Sequence, residues 1–308
     1  MGSIRKCVFI TLTILFWSQM VLCQQTPLFS EYSYNPFVIN PAYAGMKESA
    51  DVTVNNHGYL PRIEGSPKNM SLSFDMPLAQ RKIGVGAVLS QDKIGITTNF
   101  SAYAALSYKI FFGAKNNRSY IRTPNWRIYN TKVFSFGMTA GVRHLKEDLL
   151  ELGIDNDPEF SENIRALTSI VGAGFIYNTA NIYVGVSAPN LLSNKFIQDQ
   201  VSISNPIYGY WGYRCVLGSY EDIMLKPSML IKYEEGAPLQ VDVNFSTNFR
   251  DRLEIGVGYR STSSLNLMAG IYLLDHLRFV YHYNTRFKYS VMGNSHGMTL
   301  SYSFDSTW

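Results

Sequence analysis

VFSFGMTAGVRH, at residues 133–144, alternates large apolar residues with small or polar ones. The apolar set is Phe134, Phe136, Met138, Ala140 and Val142, and the intervening set is Ser135, Gly137, Thr139, Gly141 and Arg143. Successive side chains of an extended strand point to opposite faces. The period of two therefore predicts a β-strand with one apolar face and one polar face.

The same alternation recurs along most of the chain. It is clear in residues 239–249, 253–260 and 298–304. Weaker runs bring the total to about fourteen strands, an even number that returns both ends of an antiparallel sheet to the same side. The predicted strands lie near residues 49–56, 68–77, 83–90, 97–111, 133–144, 168–178, 181–188, 208–218, 227–233, 239–249, 253–260, 264–273, 276–283 and 297–304.

The composition distinguishes two folds that would both show this alternation. A soluble β-sandwich with one wet face is the alternative to a membrane barrel. Only 16% of the residues are charged, whereas the chain has 21 Tyr and 18 Phe, and the polar faces are rich in Gly, Ser, Thr and Asn. Small polar residues suit a confined lumen. We therefore predict an all-β fold, a transmembrane antiparallel β-barrel of about 14 strands.

The first residues predict export. Arg5 and Lys6 precede an apolar stretch at residues 8–22, which is shorter than the ~20 residues a helix needs to span a bilayer. We predict a signal peptide over 1–23, cleaved after Cys23, rather than an anchor helix or a lipoprotein with a lipidated Cys23. Residues 24–48 then form a periplasmic lead-in, and 49–308 form the barrel in a bacterial outer membrane.

Charge and cysteine content exclude several classes of function. Without Arg5 and Lys6 the 27 basic residues fall to 25, against 23 acidic ones, so nothing indicates nucleic-acid binding. Cys215 is the one cysteine outside the predicted leader and cannot form an internal disulfide. The five His residues lack metal-ligand or triad spacing. We predict no enzymatic activity and no cofactor.

The lengths of the predicted connections indicate an orientation. Short turns at 178–181, 248–252 and 274–275 fall on one side, and long pieces at 145–167, 189–207 and 284–296 fall on the other. Outer-membrane barrels have short periplasmic turns and long outer loops. The sequence therefore predicts that the N- and C-termini are periplasmic.

One connection breaks this pattern. Residues 113–132 would be a long periplasmic insertion with five basic residues and no acidic one. It is either a solvated insertion or a docking patch for an acidic periplasmic partner or lipid headgroup. The candidate binding residues in it are Arg118, Arg122, Trp126 and Arg127.

An acidic loop lies on the predicted outer side. Asp155 and Asp157 stand among seven carboxylates in residues 145–163, and carboxylate oxygens are ligands for Ca²⁺. The turn glycine and distal glutamate of an EF-hand are missing, so a solvated loop that contacts partners or surface-bound cations is the alternative. Inside the barrel, Glu254, Arg260, Asp242 and Arg143 are predicted to form charge networks.

The predicted lead-in contains two Asn-Pro steps, at Asn35-Pro36 and Asn40-Pro41. Proline lacks a backbone donor and restricts the preceding residue, so this piece is predicted to be rigid, with extended or turn geometry. Its aromatic residues either close the periplasmic mouth of the barrel or dock a periplasmic component. The candidate residues are Tyr32, Tyr34, Phe37 and Tyr43.

This lead-in resembles the signature of the PorP/SprF family, outer-membrane proteins associated with the type IX secretion system of Bacteroidetes. The quoted pieces are FSEYSYNPFVINPAYAG at 29–45, QDKIG at 91–95, FSFG at 134–137, DNDPEF at 155–160, KPS at 226–228 and GNSHGMTLSYSF at 293–304. The resemblance implies a barrel that supports export or surface anchoring of type IX cargo, including adhesins of gliding motility. Its implied partners are outer-membrane lipid and the secretion machinery or a secreted adhesin.

Two departures from the family pattern bear on the choice between roles. His296-Gly297 stands where many relatives carry His-Glu, and the basic insertion is longer than the usual turn. Both favour a dedicated partner of one adhesin over a core machinery component. A porin-like diffusion channel for small solutes is the alternative function.

Overall fold

The structure is a computed structural model. It describes residues 30–59, 65–112, 132–153, 162–192, 205–217, 223–250, 252–261, 264–274, 276–286 and 294–304. The predicted signal peptide and most of the basic insertion lie outside these residues.

Fifteen strand segments occur in the described part of the chain. They are β1 (Asp51–Tyr59), β2 (Lys68–Leu78), β3 (Ile83–Ile94), β4 (Thr97–Phe112), β5 (Lys132–Glu147), β6 (Ile164–Asn178), β7 (Ile182–Ala188), β8 (Ile207–Tyr213), β9 (Cys215–Leu217), β10 (Ile223–Tyr233), β11 (Gln240–Phe249), β12 (Leu253–Arg260), β13 (Ser264–Leu274), β14 (Leu277–Arg286) and β15 (Ser295–Ser303). Each of the predicted strands corresponds to one of them or, for 208–218, to the pair β8 and β9.

The segments form one closed antiparallel barrel of fourteen strands. Consecutive strands pair around the ring, and β15 closes it by pairing with β1 from Asp51 opposite Ser303 to Tyr59 opposite Ser295. Segments β8 and β9 both pair with β10 and are separated by Arg214 alone, so they are two parts of one strand. The predicted fold class and strand number are confirmed.

The two faces of the wall are those of a membrane barrel. In β5 the outward Phe134, Phe136 and Met138 are exposed, whereas the inward Ser135 and Thr139 are buried. A soluble sandwich would place the apolar face inside and the polar face in water. The pattern therefore decides between the two folds that the sequence allowed.

No helix in the described ranges is long and apolar enough to cross a membrane.

Two rims are used below to describe positions. The proximal rim is the end at which Asp51 and Ser303 lie, and the distal rim is the opposite end. The short turns after β6, β11 and β13 leave from the proximal rim, and the long connections after β5, β7 and β14 leave from the distal rim. The predicted division holds for these connections, whereas residues 113–131 are a long connection at the proximal rim and residues 95–96 a short turn at the distal rim. The side of the membrane that each end faces stays a prediction.

Three short 3₁₀ turns precede β1, at Ser30–Ser33, Pro36–Val38 and Pro41–Tyr43. Two of them begin with the prolines of the Asn-Pro steps, where the missing backbone donor costs no hydrogen bond. The turn geometry predicted for this piece is confirmed. These turns lie inside the barrel, against the inner face of its wall, and occupy part of the lumen.

Candidate functional site inside the barrel

We call Ser30–Met46 the internal segment. Its apolar side chains are almost fully buried: Phe37 is 3% exposed, Ile39 1%, and Ala42, Ala44 and Met46 are 0% exposed. An eight-stranded barrel is filled by its own side chains, whereas sixteen to eighteen strands leave an aqueous channel. Fourteen strands leave room inside the wall, and the internal segment occupies it.

The segment completes two apolar clusters in the lumen. Ile39, Ala42 and Met46 pack with inward residues that include Val133 and Ile176. Phe37 and Ala44 pack with Val88 and Ala105 in the second cluster. Burial of apolar surface stabilises folded chains at roughly 25 cal/mol per Å². The lumen of this barrel therefore contains a hydrophobic core to which the N-terminal segment supplies one side.

The wall holds the main chain of the segment as well as its side chains. Single 3₁₀ turns leave most carbonyl groups without a local partner, and buried carbonyls need one. Inward side chains of three strands, β4, β5 and β7, donate to these oxygens. The bonds are Tyr103 Oη to Val38 O, 3.0 Å; Ser187 Oγ to Ile39 O, 2.7 Å; Ser135 Oγ to Ala42 O, 2.7 Å; Ser107 Oγ to Ala44 O, 2.8 Å; and Lys109 Nζ to Ala44 O, 2.7 Å.

Asn40 is the most fully bonded residue of the segment. Its Oδ1 accepts from the Ala42 N–H at 2.9 Å, and its Nδ2 donates to Phe175 O at 3.1 Å and to the Tyr210 hydroxyl at 2.7 Å. The residue is 0% exposed. A carboxamide supplies both the acceptor and the donors that this position needs. Asn40 thereby links a turn of the segment to β6 and β8.

Glycines in the wall make space for the segment. A Cβ atom added at Gly137 would lie 2.5 Å from the Ala42 nitrogen, and one at Gly84 would lie 1.9 Å from the Ala44 oxygen. These contacts are with backbone atoms, which cannot rotate away. The absence of a side chain at these two positions lets the backbone of the segment approach the wall closely.

The Gly137→Ala substitution is expected to destabilise the barrel by about 1–3 kcal/mol, the usual cost of overpacking. The added methyl group must displace Ala42 or distort β5. Gly209→Ala is the matched control, because nothing lies within 4 Å of a Cβ at that position. Urea unfolding in detergent micelles measures both. Equal midpoints for the two variants would contradict the close contact.

Two tyrosines anchor the N-terminal part of the segment. Tyr34 stacks under the Arg278 guanidinium, 4.2 Å from the ring centroid, and its hydroxyl donates to the sulfur of Met268. The Tyr32 hydroxyl accepts from Asn244 Nδ2. Burial raises the pKa of both phenols, and the nearby carboxylates of Asp242 and Glu254, respectively, raise them further. Both hydroxyls therefore stay protonated.

The predicted charge networks of the lumen are present. Arg260 donates to both carboxylate oxygens of Asp242, at 2.9 and 2.7 Å, and both residues are buried. Glu254 is 0% exposed and pairs with Lys226, with the Arg278 Nε 3.8 Å away. Arg143 Nε donates to Ser101 Oγ at 3.4 Å. Asp242 and Glu254 are thus each paired with a cation of the wall, whereas Arg143 donates to a neutral hydroxyl.

The structure brings the four predicted aromatic residues together in the lumen. Tyr32, Tyr34 and Phe37 are buried, and Tyr43 is half-buried against both apolar clusters. Their docking role stays a prediction. The other candidates, Arg118, Arg122, Trp126, Arg127, Asp155 and Asp157, lie outside the described residues.

Sequence reasoning missed the residues of the wall that receive the segment. Gly84, Gly137 and the inward serines look like ordinary lumen residues in the alternating pattern. In the described ranges no group of three or more His, Cys, Asp or Glu side chains is placed to hold a metal ion. The arrangement is suited to binding polypeptide inside the barrel.

A sequence model of the type IX secretion system membrane protein family PorP/SprF matches residues 21–302. This chain belongs to the PorP/SprF family. The match includes the complete internal segment and β1 to β14, so the family assignment covers both the wall and the segment that fills it. The resemblance inferred from the sequence is confirmed.

Solved barrels are similar to the PorP/SprF chain at low identity. Omp33 of Acinetobacter baumannii is 6% identical with a TM-score of 0.48, over 84% of this chain and 100% of that one. BamA of Haemophilus ducreyi, lacking POTRA domains 1–3, is 9% identical with a TM-score of 0.41, over 83% and 70%. A porin mutant of Rh. blastica is 8% identical with a TM-score of 0.35, over 83% and 99%. A search of curated protein sequences gave no match.

Proposed function

We propose that this PorP/SprF barrel serves the type IX secretion system in the outer membrane. In that role it supports export or surface anchoring of a partner, either a secreted adhesin or a component of the machinery. The family assignment supports an association with the type IX secretion system, and the filled lumen supports a role in binding a partner. The single observation that carries the proposal is the burial of the internal segment against the wall around the ring.

The filled lumen also bears on the second candidate, a porin-like diffusion channel. A diffusion channel needs a continuous water-filled path through the lumen, from one rim of the barrel to the other. Here the hydrogen bonds of the segment reach β2 and β4 through Asn35 and Ala44, and β7 and β11 through Ile39 and Tyr32. A segment held on widely separated strands supports a binding role over solute diffusion.

We further propose that the proximal rim faces the periplasm. Most turns at this rim are short and three long connections leave the other rim, which is the arrangement of outer-membrane barrels. The first residue of β1, Asp51, and the last residue of β15, Ser303, both lie here. In this orientation the acidic connection after β5 is on the cell surface, in reach of exported partners and of surface-bound cations.

The proposed role is non-enzymatic. Acid–base catalysis needs titratable groups aimed at a site that substrate can enter. The carboxylates of Asp242 and Glu254 instead engage the side chains of Arg260 and Lys226 inside the wall. This pairing supports a structural use of the buried charges.

Affinity capture of the tagged full-length barrel from native membranes, followed by mass spectrometry, tests the proposal. We expect a type IX component or a secreted adhesin to co-purify, and a tagged unrelated barrel from the same membranes to capture neither. Steady, large single-channel conductance together with capture of no partner would favour the diffusion channel instead.

A further inference from the structure

Two turns at the proximal rim concentrate positive charge. Residues 79–82, AQRK, join β2 to β3, and residues 250–252, RDR, join β11 to β12. Lys82, Arg250 and Arg252 are exposed. The connection after β5 at the distal rim, residues 148–163, has six acidic residues and no basic one. These two proximal turns thus carry a net positive charge, whereas the connection after β5 at the distal rim is acidic.

The backbone of these two turns is in an unfavourable conformation. Ala79, Gln80, Arg81 and Arg250 have φ angles of 47°, 56°, 70° and 49°. They are the non-glycine residues with positive φ in the described part of the chain, and all are at the proximal rim. Glycine would relieve the strain at each position. Strained backbone of this kind is often found at sites of function, and here two of the four positions carry an arginine.

One of these arginines forms an ion pair just beyond the end of the internal segment. Arg81 Nη1 forms an ion pair with Glu48 Oε1, two residues beyond Met46, and the two side chains are 40% and 56% exposed. An ion pair in water is weak and is screened by salt, so another carboxylate can replace Glu48. Glu48 lies where the chain enters the lumen, on the aqueous side of the rim. An acidic side chain presented at the mouth can therefore compete with Glu48 for Arg81.

We propose that the proximal rim is a docking surface for an acidic partner protein, contacted by Arg81, Lys82, Arg250 and Arg252. The two turns are on separate parts of the ring, with β13, β14, β15 and β1 between them. A partner that covers the mouth meets both turns at once and exchanges with Glu48 at Arg81. The inference rests on the proposed function for the existence of a partner, and it adds the partner's charge and the surface it uses.

Charge reversal at matched positions tests this surface. The proximal variant is K82E/R250E/R252E, and the distal control is K68E/K93E/R165E, whose three cations are also exposed. Both are made in the full-length tagged barrel, and folding is verified by heat-modifiable gel mobility. We expect the proximal variant to capture about tenfold less partner from native membranes, and the control to change capture by less than about twofold.

A third variant separates docking from a structural role of the rim. Glu48→Gln removes the carboxylate that competes for Arg81, so we expect capture to rise, most clearly at low salt. Unchanged capture by the proximal variant would overturn the docking surface while leaving the proposed function intact. Loss of bound anionic lipid with unchanged capture would overturn it in favour of headgroup binding. Absence of any partner on the unaltered barrel would overturn both.

Discussion

Deletion of residues 30–46 is expected to convert a poorly conducting barrel into one with a stable open pore. The deletion removes the segment that occupies the space a fourteen-stranded wall leaves inside. It keeps every wall strand, together with Lys47 and its 2.6 Å ion pair to Asp51. Single-channel recording in planar bilayers measures the effect, and we expect conductance to rise by roughly tenfold or more.

The deleted barrel must be shown to be folded, by retention of heat-modifiable gel mobility. A second variant avoids the deletion: Gly84→Trp keeps the chain length but places a large ring where the Ala44 carbonyl now lies. We expect it to dislodge the segment and to raise conductance in the same direction. A folded deletion variant that conducts no more than the unaltered protein would show that the lumen is closed by other residues.

Breaking the Asp242–Arg260 ion pair is expected to have the largest effect of any single substitution in the wall. These residues are register partners on β11 and β12, and both are buried. Asp242→Leu leaves the Arg260 guanidinium without its carboxylate in a site with little water. Removing one member of a buried pair costs about 3–5 kcal/mol. Urea unfolding, followed by tryptophan fluorescence, measures the loss.

The double variant D242L/R260M is the control for this prediction. Replacing both members with apolar residues removes the stranded charge, and such replacements are often neutral or stabilising. We expect the double variant to recover most of the stability lost in Asp242→Leu. If the double variant is as unstable as the single one, the unpaired charge of Arg260 is not the cause of the lost stability. The loss would then come from replacing polar side chains at this site with apolar ones.

The sequence predicts the wall well because the wall obeys a local rule. Each strand faces lipid on one side and the lumen on the other, so Phe134 and Ser135, as neighbours, report the two environments directly. Fourteen repeats of the rule specify the number of strands without any knowledge of their partners. Interruptions of the rule are less visible from the sequence.

Arg214 is such an interruption. Residues 208–218 are predicted as one strand, and Arg214 continues the inward series of Tyr208 and Tyr210. In the structure it separates β8 from β9, and its guanidinium donates to Asn178 Oδ1 at 3.1 Å and to Thr179 O at 3.0 Å. Those acceptors lie more than thirty residues earlier in the chain. Contacts with such distant partners leave no local pattern in the sequence.

The candidate site is predictable from the sequence only in part, because some of its features are local and others depend on distant strands. The Asn-Pro steps and the aromatic residues identify the segment as unusual, and Tyr32, Tyr34 and Phe37 are among its buried side chains. Its position inside the barrel depends on the width of the ring and on glycines such as Gly84 and Gly137, which belong to different strands. Such complementarity is a property of the closed ring and of no single stretch of sequence.

The seam between β1 and β15 has a consequence for biogenesis. The internal segment leads directly into β1, whose nine residues pair with the nine of β15, the last strand of the barrel. The internal segment is therefore synthesised before the strands of the barrel, and β15, the strand that closes the ring, is synthesised last. The strands that bind the internal segment surround it completely only when the ring closes, and the lumen is occupied only when the segment is inside. We therefore expect insertion into the membrane and entry of the internal segment into the lumen to be coupled in this topology.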